Sequence, residues 1–139
     1  MSYEEKGTWA YLAAVAGAYA VYLAIVIVRL QGTPVAQVSY AWVLLWTTVG
    51  SVVASTAGRT VLETARPGDS RRKDARDLEI YRFGEYASRW FVVGGAAAGF
   101  VLALAKADYF WIANIIYLGF VLWAIGGSVV KLVAYRRGL

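Results

Sequence analysis

The sequence predicts an all-α polytopic membrane protein, a four-transmembrane-helix bundle with a cytoplasmic extension of helix 3. Three observations carry that reading. Hydrophobic residues make up 60% of the chain and charged ones 17%, against about 45–50% and about 25% in soluble domains. The apolar residues fall into four runs, each nearly free of charge. The charges gather instead in one stretch, Arg66 to Arg89, which holds seven of the 14 Lys and Arg residues and separates the runs into two pairs.

The first run, residues 8–28, has 21 positions without a charge. At about 1.5 Å per residue it matches a hydrocarbon core of roughly 30 Å. A cleaved signal peptide wants a positive start and an apolar run of about 7–15 residues. Here Glu4, Glu5 and Lys6 make the start net negative, so a retained helix is expected. Gly32 and Pro34 then break the chain for a short connection. The second run, residues 40–58, opens with Tyr40 and Trp42 at interface depth, and its helix is expected to continue to Ala65 and stop at Pro67-Gly68.

Residues 59–85 form a basic connector. Within it Asp69 or Ser70 can cap a new helix, running from about Arg71 directly into the third run, 86–105. Lys106, Ala107 and Asp108 make a tight turn. The fourth run, 109–130, closes at Lys131 and the tail Tyr135-Arg136-Arg137. The whole chain, 1–139, reads as a single four-span membrane domain.

Four spans place both termini and the connector on one side of the bilayer. All but Arg29 and Lys106 of the 14 Lys and Arg residues fall on that side. The positive-inside rule makes it cytoplasmic, so a multi-pass protein of the cytoplasmic (inner) membrane is expected, with N- and C-termini inside. Trp9, Tyr40, Trp42, Trp90, Tyr109, Trp111 and Tyr135 sit near span ends, as interfacial aromatic belts do. The net charge of +5 then follows topology. It attracts anionic lipid headgroups at about 1 kcal/mol per charge near the surface, and no direct nucleic-acid binding is expected.

Missing residues narrow the chemistry. With no Cys and no His, thiolate and imidazole metal ligands, iron–sulfur clusters and Cys nucleophiles are excluded. Glu63 and Glu85 lie at cytoplasmic span ends and Asp108 at the outer turn, so no carboxylate sits deep enough to suggest a proton-coupled carrier. No nucleophile–base pair or phosphate-cradling loop is legible. The chain is expected to be neither an enzyme nor the holder of a cofactor or metal.

Small residues at helical spacing mark close helix contacts, within one bundle or between copies in a homo-oligomer. Span one offers Ala13, Gly17, Ala20 and Ala24; span two Thr48, Ser51, Ser55 and Gly58; span three Gly95, Gly99 and Ala103; span four a more polar stripe through Ala124 and Ser128 to Lys131. Two polar groups stand out as candidate sites. Tyr19, Tyr22, Thr47, Thr48, Asn114 and Tyr117 share a depth in the outer half. They line a small polar cavity open to the outer face, or they satisfy one another across helices; the spacing allows both.

Arg76, Asp77, Glu79, Arg82 and Glu85 form the second group, on the cytoplasmic helix. Glu85 and Arg89 are spaced i, i+4 and Glu79 and Arg82 i, i+3, which supports a helix. Leu78, Ile80, Tyr81 and Phe83 are too apolar for a solvated face, so this segment is expected to fold back on the bundle or to meet a partner. The expected role is a non-enzymatic accessory, sensor or regulatory protein. The alternative is a small homo-oligomeric transporter or channel whose path runs through the outer polar group. A purely structural bundle is the third class.

The same stretch carries a resemblance. Asp74-Ala75-Arg76-Asp77-Leu78-Glu79-Ile80, followed by Gly84, resembles the "DxRDxEI" element between helices 2 and 3 of small prokaryotic four-helix integral membrane proteins of unknown function. Asp108 to Asn114 (DYFWIAN) and the ending Tyr135-Arg136-Arg137-Gly138 are similar to that group as well. The resemblance implies the same topology and no established activity. Because such proteins are often linked to helix-turn-helix regulators, it also implies a cytosolic regulatory partner.

Overall fold

The computed structural model describes residues 2–65 and 75–138, and its elements are four long helices and one short turn of 3₁₀ helix. The long helices are α1 (Tyr3–Leu30), α2 (Ala41–Ala65), α3 (Ala75–Leu104) and α4 (Tyr109–Arg137). Even α2, with 25 residues, is roughly 38 Å long at about 1.5 Å per residue. All four are long and apolar enough to cross a membrane. The expected stop at Pro67-Gly68 and cap at Asp69 or Ser70 lie outside the described residues.

Local chemistry sets the helix ends. Ser2 caps α1, its Oγ accepting from the Glu5 amide at 3.2 Å, and Glu4 and Glu5 in the first turn suit the positive end of the helix dipole. After α1, Gly32 takes φ +80°, and Pro34 opens the 3₁₀ turn Val35–Gln37. The connection expected between spans one and two is thus a folded plug. Its Val38 is buried against Tyr22, Val26 and Phe110. Between α3 and α4, Ala107 N–H donates to Leu102 O at 2.9 Å and Lys106 N–H to Ala103 O at 3.0 Å. Those paired bonds define a Schellman turn, with Lys106 at φ +55° where glycine is usual. Asp108 then caps α4 by accepting from the Phe110 amide at 2.9 Å.

The helices lie in the order α2, α1, α4, α3, each packed mainly on its neighbours in that row, so α2 and α3 stand apart. Burial follows from this layout. The inner helix α4 buries eight residues, from Phe110 to Ala134, whereas the flanking helix α2 buries none. Small residues form the α3–α4 seam. A Cβ on Gly95 would come within 2.8 Å of the Gly119 Cα, so the two backbones touch there. The Gly95/Gly99 pair therefore serves contact inside the bundle.

The α2 stripe faces α1, where Gly58 meets Ala10. The α1 stripe takes no part in packing within the bundle. Ala13, Gly17, Ala20 and Ala24 are all exposed, and nothing lies within 4 Å of a Cβ built on Gly17. Instead α1 meets its neighbours through Tyr22 and Val26. The large ring of Tyr22 fills a gap that alanine could not. Turning alanine outward costs little, because lipid tails are as apolar as the bundle interior.

Candidate functional site

Polar groups occupy both ends of the bundle. At the end away from the termini, Tyr22 is fully buried and its hydroxyl donates to Asn114 Oδ1 at 2.6 Å. Asn114 in turn donates through Nδ2 to Phe110 O at 2.8 Å. The Tyr117 ring stands edge-on to Tyr22 and Tyr19, with centroids 5.2 and 5.5 Å away, a favoured aromatic geometry. Tyr19, Tyr22, Asn114 and Tyr117 thus come together. Thr47 and Thr48 do not join them by hydrogen bonds: their hydroxyls donate to Val43 O and Leu44 O of their own helix, at 2.8 and 2.7 Å. Val38 and Phe110 pack over Tyr22, so rings and aliphatic side chains fill this region.

At the end carrying both termini the charges are arranged differently. Glu85 accepts from Lys131 Nζ of α4 at 2.8 Å and not from Arg89. The Arg89 guanidinium lies instead over the Tyr86 ring, 4.3 Å from its centroid. Nor does an ion pair join Glu79 to Arg82 among the described residues. The cross-helix pair prevails because Gly84 leaves room for it. A Cβ at Gly84 would meet Lys131 Cγ at 2.6 Å, so only glycine lets the lysine stem cross α3 here. The ammonium also lies 4.3 Å from the Tyr81 ring centroid.

One helical step below, Asp77 accepts from the Tyr135 hydroxyl at 3.0 Å. Burial, and then the neighbouring Asp77 carboxylate, push the Tyr135 hydroxyl above its ordinary value, keeping it a neutral donor. Of the five residues expected to form a partner surface, Asp77 and Glu85 therefore turn into the bundle. Arg76, Glu79 and Arg82 are exposed.

Between these groups lies a cavity of about 360 Å³ walled by all four helices, with Tyr3, Glu4 and Tyr11 from α1, Arg59 from α2, Asp77, Tyr81 and Glu85 from α3, and Trp123, Lys131 and Tyr135 from α4. It occupies the space that opens where α2 and α3 stand apart. Arg59 sits at its rim, 3.5 Å from Glu4 and 3.7 Å from Glu63. The Tyr3 hydroxyl is buried there beside Arg59 and Glu63. Ser128 on the wall is also buried, but it donates to Ala124 O of its own helix at 2.7 Å. The set offers aromatic faces, carboxylate acceptors and hydroxyls, which suits it to holding a charged or polar group.

Sequence reasoning places Tyr135 in an interfacial belt, Lys131 at the end of the fourth run, Arg59 in the basic connector and Glu4 in the polar start, and misses their convergence. One signal was available. Glu85 and Lys131 have opposite charge and lie at similar distances along the chain from the turn at Lys106, so an antiparallel hairpin brings them level. Compared with models of known families, with curated proteins and with solved structures, the chain matches none.

Proposed function

We propose that this chain is a non-enzymatic accessory, sensor or regulatory protein of the cytoplasmic membrane. Its termini and basic connector face the cytoplasm, where they meet anionic headgroups and a cytosolic protein partner. One observation carries the reading: the first turns of α3 have two unlike faces. Ile80 and Gly84 are buried and Asp77 and Glu85 bond to α4. Leu78, Glu79, Arg82 and Phe83 are exposed, Phe83 at 55%. Leu78 precedes the span beginning near Tyr86 by about 12 Å at the helical rise of about 1.5 Å per residue, so on this topology the acyl chains do not cover it. Apolar residues interleaved with charges, held in water on a rigid helix, suit a protein-docking face.

The double reversal Glu79→Arg with Arg82→Glu should reduce recovery of cytosolic partners in a membrane pull-down at least tenfold. Recovery equal to that of the parent chain sinks the proposal. Asp77 is unsuitable for this test, because its carboxylate holds Tyr135. A small homo-oligomeric transporter or channel is the competing proposal, and the exposed alanine and glycine stripe of α1 is the face on which copies would meet. The filled tyrosine cluster gives that reading no support at the outer end. Liposome flux abolished by Asn114→Leu would restore it.

A further inference from the structure

We propose that the cavity between the four helices binds a small organic cation, an alkylammonium or quaternary ammonium group. The inference is independent of what docks on the outward face of α3. It rests first on the balance of charge. Among the described residues, the lining carboxylates are Glu4, Asp77 and Glu85, against Arg59 and Lys131, in a chain whose net charge is +5. A locally acidic pocket inside the most basic part of such a chain does not follow from composition. It arises because the fold turns Asp77 and Glu85 inward while Arg76 and Arg82 stay exposed.

The second observation is that the wall already holds a cation. Lys131 places its ammonium 2.8 Å from the Glu85 carboxylate and 4.3 Å from the Tyr81 ring centroid. A carboxylate on one side and a ring face on the other is how proteins receive ammonium ligands. Gly84 makes the arrangement possible by leaving the lysine stem its path. Lys131 thus acts as a tethered competitor, and a ligand cation displaces its ammonium from Glu85 and Tyr81. The rings of Tyr11 and Trp123 extend the aromatic wall. The Tyr3 hydroxyl on the same wall supplies an acceptor for an alkylammonium N–H or for the hydroxyl of choline. An anion fits less well, because Glu85 neutralises Lys131 while Glu4 and Glu63 flank Arg59. At about 360 Å³ the space lies at the small end of ligand pockets, about 300–1,000 Å³, which favours a compact headgroup over a long chain.

The test is calorimetric titration of the full chain in nanodiscs of neutral lipid, with three probes: choline, its uncharged tert-butyl analogue and inorganic phosphate. Saturable heat with choline alone is expected. Lys131→Met, which removes the competitor, should tighten choline binding at least tenfold. Tyr81→Leu should weaken it by about tenfold, in line with cation–π energies of about 1–2 kcal/mol. The proposal is overturned if choline does not bind, if the uncharged analogue or phosphate binds as well, or if Lys131→Met leaves the affinity unchanged. Should Lys131→Met fail to give a monodisperse protein, Tyr81→Leu decides alone, since Tyr81 is 44% exposed; an unchanged affinity there overturns the proposal.

Discussion

The two ends of this bundle are made of the same parts and do opposite things with them. Each brings a tyrosine hydroxyl to an acceptor on another helix: Tyr22 of α1 to Asn114 of α4 away from the termini, and Tyr135 of α4 to Asp77 of α3 beside them. Around Tyr22 the 3₁₀ turn brings in Val38, α2 contributes Val43 and Leu44, and Phe110 closes the top. Around Tyr135 no plug intervenes among the described residues, α2 and α3 stand apart, and a charged space remains. Polar residues at similar spacing therefore become core or binding site according to the bulk that neighbouring segments supply. One end stores stability and the other holds chemistry.

That contrast is open to direct attack. Tyr22→Ala should have the largest effect, destabilising the fold by about 3 kcal/mol as a buried aromatic is lost, read from unfolding in mixed micelles. Choline affinity in the remaining folded fraction should not move. Tyr22→Phe keeps the ring and removes only the donor to Asn114. It should cost about 1 kcal/mol, within the range of intramembrane hydrogen bonds, and a loss as large as that of the alanine variant would show that the ring packing contributes little.

Glu85→Gln reverses the pattern. Its ion pair is partly exposed, with 15% of the Lys131 side chain and 32% of the Glu85 side chain accessible, so the stability change should stay below about 1 kcal/mol. Choline affinity should fall about tenfold, as for loss of about 1.4 kcal/mol of Coulomb attraction to one carboxylate. The smallest effect concerns alkali. The Tyr135 hydroxyl titrates above its ordinary value, chiefly through burial and then through Asp77. Its contribution should be complete below about pH 10, the unperturbed tyrosine value, and decline as pH rises from there toward the raised folded value. Tyr135→Phe should abolish that part of the alkaline destabilisation.

Much of this layout was legible before any coordinates. Four nearly uncharged runs can satisfy their backbones in lipid as helices, so the element count and order followed from composition. The Gly95/Gly99 pair announced a close contact, and the structure places Gly95 against Gly119 and Gly99 against Ile116. Two things were hidden. Periodicity identifies a stripe of small residues without saying which neighbour faces it, which is why the α1 stripe left contact within the bundle and contact between copies equally open, and it lies exposed. Charge spacing along one helix suggested Glu85 with Arg89, but the partner came from another helix through a gap at Gly84. Such pairings depend on hairpin register, which the Schellman turn at Lys106 fixes and which local spacing does not encode.

The single-sided attachment of α2 has a mechanical corollary. Fastened mainly along α1, with no buried residue of its own, it is the element best placed to absorb hydrophobic mismatch by changing tilt. A thicker or thinner bilayer would then swing α2 while α1, α4 and α3 kept their relative positions. The Arg59 contact with Glu4, at 3.5 Å and on the rim of the cavity, would be an early one to part, so lipid thickness would set the width of the pocket mouth.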